Sequence, residues 1–287
     1  GVGPESRTPS AMALLGLAVA EGRWPADAAT RLREETAATF LRWMRGSSAR
    51  CCTSDITLAE FSELCVRMDG VDSNASTVEQ YLQGTPGWRT TLYNQCQAPM
   101  THRQSIQLFS SAGVKMTPEL KQPEVLMPYQ GSFSQQHYAQ QLVDEYKAAG
   151  IHPRDVWPQS FDIQDIRYWI NKEPEFGKQA VYLDDANTTA DLPTANDLQM
   201  YADEGFKIVA PPIWALLALD NNNKIVPSEY ARNAKKAGLK MITWSFERSG
   251  PLKNGGGWYY QTVNPVINND GDMMQVLHVL AQDVGVI

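Results

Sequence analysis

Histidine is scarce, with four residues in 287. His102 and His137 fall in the first turns of helix-like runs, His152 lies in a loop beside Pro153, and His278 sits within the last helix-like run. None stands where a β-rich run ends, so each reads as a surface or core residue rather than a general base. Cysteine is equally scarce. Cys51, Cys52, Cys65 and Cys96 lie in the first third without C-x-x-C spacing, which argues against a zinc cluster. No apolar run approaches the roughly 18 residues of a spanning helix. Neither G-x-G-x-x-G nor G-x-x-x-x-G-K-[ST] occurs, which removes the usual signatures of a nucleotide-binding sheet. Basic clusters are missing too: a net charge of -7 and a pI near 5.2 exclude a nucleic-acid footprint and leave small molecules as the expected partners. Nothing in the sequence sets an oligomeric state.

The composition is otherwise that of a globular chain, 43% hydrophobic and 20% charged, long enough to bury a sizeable core. Eight Trp, seventeen Pro and the acidic balance suit a secreted or periplasmic enzyme with disulfides, the alternative being a reduced cytosolic protein with buried thiols. Residues 70 to 100 are rich in Gly, Ser, Asn, Thr and Pro and read as a long ordered loop; Cys65 and Cys96, which flank its 70 to 95 part, are the expected pair. Closing about 30 residues would stabilise by roughly 3 to 4 kcal/mol. Residues 12 to 20, MALLGLAVA, end in the small-x-small form of a leader cleavage site, yet a plain apolar helix is the expectation there. Residues 27 to 44 carry helical spacing. Thr57-Leu58-Ala59-Glu60 is a capping box that should start a helix running to about Asp69.

A repeat then sets in. Helix-like runs end in Gly113, Gly150, Gly177, Gly205, Gly238 and Gly285, and a β-rich run follows each: VKMTPEL, VWPQSF, AVYLDD, FKIVAPP, LKMITWSF and VI. Ser134, Asp162 and Thr194 stand where N-caps are needed, and Thr101 opens the run that closes at Gly113. This is the beat of consecutive βα units, an α/β fold with either an open parallel sheet or most of a (βα)8 TIM barrel.

In such folds the site lies at the C-terminal strand ends. Alternation puts Lys115, Thr117, Glu119 and Lys121 on one face of the first run, and Val114, Met116, Pro118 and Leu120 on the other. A carboxylate and an ammonium two positions apart can hold a metal and a phosphate, or can form a bland ion pair on an edge strand. The other strand ends offer Gln159, Ser160 and Phe161, then Asp184 and Asp185, Trp214, and Trp244, Glu247 and Arg248. Adjacent carboxylates such as Asp184 and Asp185 commonly cap a turn, and that reading is preferred here to metal ligation. Trp214 and Trp244 either stack on a polyol or close the core.

From Cys51 to Ile287 the chain resembles the glycerophosphodiester phosphodiesterase family in its bacterial periplasmic form. MTPELK at 116 to 121, VWPQSF at 156 to 161, AVYLDD at 180 to 185, KIVAPPIWALL at 207 to 217, and TWSFERSG at 243 to 250 with GGGWYY at 255 to 260 carry the likeness in family order. The resemblance implies a (βα)8 barrel that uses Ca2+ or Mg2+ to hydrolyse glycerophosphodiesters to glycerol 3-phosphate and an alcohol. It implies that Glu119 is a metal ligand, that Lys121 faces the phosphate, and that Trp244 lines the glycerol pocket; Gln159, Phe161, Glu247 and Arg248 join Lys121 as expected substrate contacts.

The family also opens with a strand ending in HRG, then a strand carrying ExD, then a second histidine. Residues 1 to 50 contain none of these. The expectation is therefore an incomplete barrel of about strands three to eight over residues 51 to 287, a helical segment over residues 1 to 50 that does not match the family, and impaired catalysis. A polyol- or phosphate-binding barrel without catalysis is the alternative, as is a glycoside hydrolase using Glu119 and Glu247 at a separation the sequence does not supply.

Overall fold

Helix ends and strand starts alternate along the chain because each apolar-faced helix is closed by a residue that lets the backbone reverse onto the sheet. In the computed structural model, which describes residues 53, 56–64, 77, 80, 98–246 and 250–287, residues 102–287 make one compact unit and residues 5–101 another. The expected helix at 27 to 44, the apolar run at 12 to 20, all four cysteines, most of the 70 to 100 loop, Glu247 and Arg248 lie outside the described residues.

In residues 5–101 the capping box closes as expected: Thr57 N–H donates to Glu60 Oε2 at 2.7 Å and Glu60 N–H to Thr57 Oγ1 at 3.2 Å. The helix it opens, α1 (Leu58–Ser62), stops well short of Asp69. Its last turn tightens, with Glu63 N–H donating to Glu60 O and Leu64 N–H to Phe61 O.

The larger unit begins with α2 (His102–Ser111) and α3 (Gln135–Ala148), then β1 (Gln159–Ser160), α4 (Ile163–Lys172), the short α5 (Pro174–Gly177), β2 (Val181–Leu183), α6 (Ala195–Asp203) and β3 (Ile208–Ala210). An antiparallel hairpin that the periodicity did not reveal follows, β4 (Leu217–Leu219) and β5 (Ile225–Pro227). Then come α7 (Glu229–Lys236), β6 (Lys240–Met241) and α8 (Asp270–His278). Ser134, Asp162 and Thr194 cap α3, α4 and α6 as expected. Gly113 and Gly238 adopt φ of 65° and 79°, the left-handed form that ends a helix without a Cβ penalty. Gly177 departs from the pattern. It is helical, and a Cβ there would come within 2.6 Å of Ile170 Cα, so close packing of α5 on α4 requires it.

β1, β2, β3 and β6 form a parallel sheet in that order. The 114 to 121 run lies beside β1, joined by parallel bridges at Met116–Val156 and Glu119–Gln159. It is not the continuous strand expected. Met116 N–H donates to Asp155 O and Leu120 N–H to Gln159 O, but the rung between them would need an N–H that Pro118 lacks. At the other edge Ile287 N–H donates to Met241 O at 2.9 Å. The 114 to 121 run and the last residues thus flank the four-stranded parallel sheet, and all six β-rich runs follow one another in chain order. No helix among the described residues is long and apolar enough to cross a membrane.

Two faces result. Met116, Leu120, Val156, Val209 and Met241 join helix residues Val143, Ile166, Trp169, Leu198 and Ala234 in the main core. Fully burying a side chain of this kind contributes roughly 1.5 to 3 kcal/mol. Val181, Leu183, Ile208 and Ala210 form a second cluster on the opposite face, with Trp157, Phe161, Ile242 and Trp244 packed around it.

Candidate functional site

Register decides which side chains meet. The bridge and ladder partners place Glu119, Gln159, Val181, Ile208 and Lys240 in one row across the sheet. The next row on the same face holds Lys121, Phe161, Leu183, Ala210 and Ile242, and beyond it Pro212 pairs with Trp244. Glu119 and Lys121 therefore face away from the helices, as alternation required, at the strand end where Phe161 and Trp244 also stand.

Lys121 Nζ lies 2.7 Å from Glu119 Oε1, with Lys121 largely exposed and Glu119 mostly covered. The contact falls outside hydrogen-bond angles, and among the described residues the buried Oε1 has no hydrogen-bond partner. Behind the pair, Lys115 Nζ sits 5.2 Å from the Trp157 ring centroid, a cation–π contact on the same face. Gln159 stands next to Glu119 and turns its Nε2 toward Thr117 O at 3.4 Å.

The wall opposite the pair is aromatic. Phe161 meets Trp244 edge-on at 5.6 Å, and Trp244 packs against Trp258 and Tyr259 at 6.0 Å each. Trp244 Nε1 donates to Ala210 O at 2.8 Å, which fixes the ring's orientation, and the residue stays half-buried. Trp258 and Tyr259 reach it because Gly256, at φ 77°, lets the chain turn where a Cβ would strike the Tyr260 ring at 2.7 Å. Trp214, by contrast, is fully buried, so of its two readings the core one holds.

The helix side of the same strand ends carries two buried carboxylates. Asp165 on α4 accepts from Gln135 Nε2 at 2.9 Å and from Ser160 Oγ at 2.8 Å, and burial raises its carboxyl to about 6. Sequence reading missed this cluster; the signal was an Asp three residues past the Asp162 cap. Asp184 Oδ1 accepts from Ala186 N–H at 3.0 Å, the turn-forming role preferred for it, while Oδ2 is buried with no partner among the described residues. Desolvation raises this carboxyl to about 6 as well. Asp185, in the alternate parity, is exposed.

All four histidines stand away from the strand ends. His102 Nδ1 pairs with Glu145 at 2.8 Å between α2 and α3, His137 Nδ1 contacts Ser132 O, His152 Nδ1 accepts from Arg154 N–H, and His278 ends α8. A hard divalent cation takes carboxylate oxygens, so Glu119 Oε1, held here only by the Lys121 ion pair, fits as one ligand. No group of three or more His, Cys, Asp or Glu able to hold a metal occurs among the described residues.

No protein-family profile matches the chain. A protein of Arthroderma benhamiae named "Extracellular protein" is 46% identical over 226 residues, covering 76% of this chain and 92% of that one. The chain belongs to this extracellular protein's family. Two solved structures also overlap this family member. One is a protein from Silicibacter pomeroyi assigned as a glycerophosphoryl diester phosphodiesterase, at 18% identity and a TM-score of 0.48, covering 69% of this chain. The chain spans 61% of that protein's length. The other is a glycerophosphodiester phosphodiesterase from Parabacteroides distasonis, at 14% identity and a TM-score of 0.39, covering 88% of this chain and 90% of that one. At that degree of overlap neither bears on the activity of this family member.

Proposed function

We propose that the chain carries the strand-end site of a secreted, metal-dependent phosphodiesterase acting on glycerophosphodiesters, which it would cleave to glycerol 3-phosphate and an alcohol. The carrying observation is the Glu119–Lys121 pair at one strand end, on the face where Phe161 and Trp244 meet. The ordered motif blocks from MTPELK to GGGWYY support the same reading, and the extracellular relative supports secretion over a periplasmic site.

In this reading Glu119 supplies one oxygen to Ca2+ or Mg2+, whose chemistry when bound is to offset phosphate charge. The Lys121 ammonium, released from Glu119, takes a phosphate oxygen and stabilises charge that grows as water attacks phosphorus and the P–O bond to the alcohol breaks. Gln159 orients the ester, while Phe161 and Trp244 take the carbon face of glycerol. Glu247 and Arg248 follow Trp244 in sequence and are proposed to close the pocket over the substrate.

Proton transfer is the weak part of the machinery. With no imidazole at a strand end, turnover is expected to be lower by about 10² to 10⁴ for each general acid or base that these residues do not supply. That observation favours a second reading, a barrel that binds polyol or phosphate without turning it over. The two are separated by calorimetry with glycerol 3-phosphate beside an enzyme-coupled assay for its release from glycerophosphocholine in Ca2+. Slow release that Lys121→Ala lowers a further ~10²-fold supports the hydrolase. Binding that Lys121→Ala abolishes, with no release, supports the second reading; neither binding nor release rejects both. Because Lys121 is exposed, the substitution should change stability by no more than about 1 kcal/mol.

A further inference from the structure

We infer that Asn187 is an N-glycan acceptor at the strand-end rim. Asn187-Thr188-Thr189 is an Asn-x-Thr triplet with no proline at the middle position. Among the described residues no other asparagine is followed two positions later by Ser or Thr; Asn74-Ala75-Ser76, outside them, is a second such triplet in the sequence.

The local structure suits the modification. The triplet sits in a bend that runs into the single turn Thr189–Asp191, with Asn187 half-buried and Thr188 and Thr189 exposed. The turn is held without the Asn187 side chain: Thr188 N–H and Oγ1 donate to Asp191 Oδ2 at 2.9 and 2.8 Å. The Asn187 carbonyl accepts from Gln261 Nε2 at 3.1 Å, but its carboxamide makes no hydrogen bond among the described residues. The nitrogen to be modified is therefore not needed by the fold, and a bulky polar group can be attached where neighbouring positions already face water.

Asn187 follows β2 by four residues, at the end of the sheet that carries Lys121, Phe161 and Trp244. Its carbonyl partner, Gln261, directly follows the segment that carries Trp258 and Tyr259. A sugar here belongs to the rim of the site rather than to the helical flank. The inference rests on the proposal that the protein is secreted, and not on its being a phosphodiesterase.

The reaction is transfer from a lipid-diphosphate-linked oligosaccharide. Asn187 Nδ2 bonds to C1 of the first sugar, the C1–O bond to the lipid diphosphate breaks, the amide gives one proton to a base of the transferase, and lipid diphosphate leaves.

The test is to secrete the protein from a fungal host and map its peptides by mass spectrometry before and after peptide N-glycosidase. The peptide spanning residue 187 is expected to carry a glycan and, after release, aspartate in place of asparagine. Asn187→Gln and Thr189→Ala should each lose that glycan, whereas Thr189→Ser should keep it. The Asn74 peptide reports separately that the chain met the transferase. An unmodified Asn187 peptide in protein recovered from the medium, or a glycan that persists in Thr189→Ala, overturns the proposal. Loss of the glycan in both variants supports the proposal whether or not the protein releases glycerol 3-phosphate.

Discussion

At the scale of single residues, the most consequential feature is the pairing of burial and charge at Asp184. The residue is 5% exposed, one carboxylate oxygen is bonded and the other is not, and its carboxyl is raised to about 6 from an ordinary value of 3.8. Because the folded state holds the proton more tightly, the stabilising contribution is complete below about pH 4 and is lost as pH rises through 6. Asp184→Asn should therefore be near neutral in stability at pH 4 and stabilising at pH 8, by roughly 1 to 3 kcal/mol at the ~1.4 kcal/mol that each pKa unit represents. Urea unfolding at the two pH values checks it; an equal effect at both would place the cost in packing rather than charge. Strand parity alone made Glu119 and Lys121 legible in the sequence, since Met116 and Leu120 had to be the packing side. Asp184 and Asp185 were not separable in that way. Two adjacent carboxylates alternate across a strand, and only the register with β3 says which one is buried.

At the scale of elements, glycine does two different jobs that the sequence writes identically. Gly113 ends α2 in a left-handed conformation with open space around it, so Gly113→Ala should cost about 1 kcal/mol of backbone strain. Gly177 has an ordinary conformation but no room, because its missing Cβ is filled by the Ile170 backbone. Backbone cannot step aside as a flexible side chain can, so Gly177→Ala should cost about 3 kcal/mol and separate α5 from α4. Urea midpoints for the two variants measure the contrast, and equal losses would mean that α4 and α5 shift to accommodate the methyl group. The order of βα units and the N-caps at Ser134, Asp162 and Thr194 were readable because each rests on local chemistry within a few residues. The β4–β5 hairpin escaped notice because Leu217–Leu219 and Ile225–Pro227 are apolar at every position and show no alternation. The broken ladder at Pro118 was readable in principle, as the lost N–H is a property of the residue alone.

At the scale of the whole molecule, the candidate site divides between what the sheet supplies and what it does not. Three of the parallel runs bring a carboxylate, an ammonium, an amide and two aromatic rings to one end of one face, and all of these residues stand at strand ends. The four histidines sit on helices or in a helix-linked turn, where neither strand order nor alternation could have brought them to the site. The aromatic wall adds something different in kind. Trp214, Trp244 and Trp258 form a chain of indoles, with Trp258 about midway at 5.9 and 6.0 Å from its two neighbours and Phe161 and Tyr259 against Trp244. Rings this close share excitation, so light absorbed at the buried Trp214 can be emitted from Trp244, the ring nearest the proposed glycerol position. The protein should then report its own occupancy: glycerol 3-phosphate is expected to change the intrinsic emission saturably, and Trp244→Phe to abolish that change while leaving the fold's far-ultraviolet dichroism intact. A titration that still saturates in Trp244→Phe would move the ligand elsewhere, and the emission would then be tracking a site on another wall of the molecule.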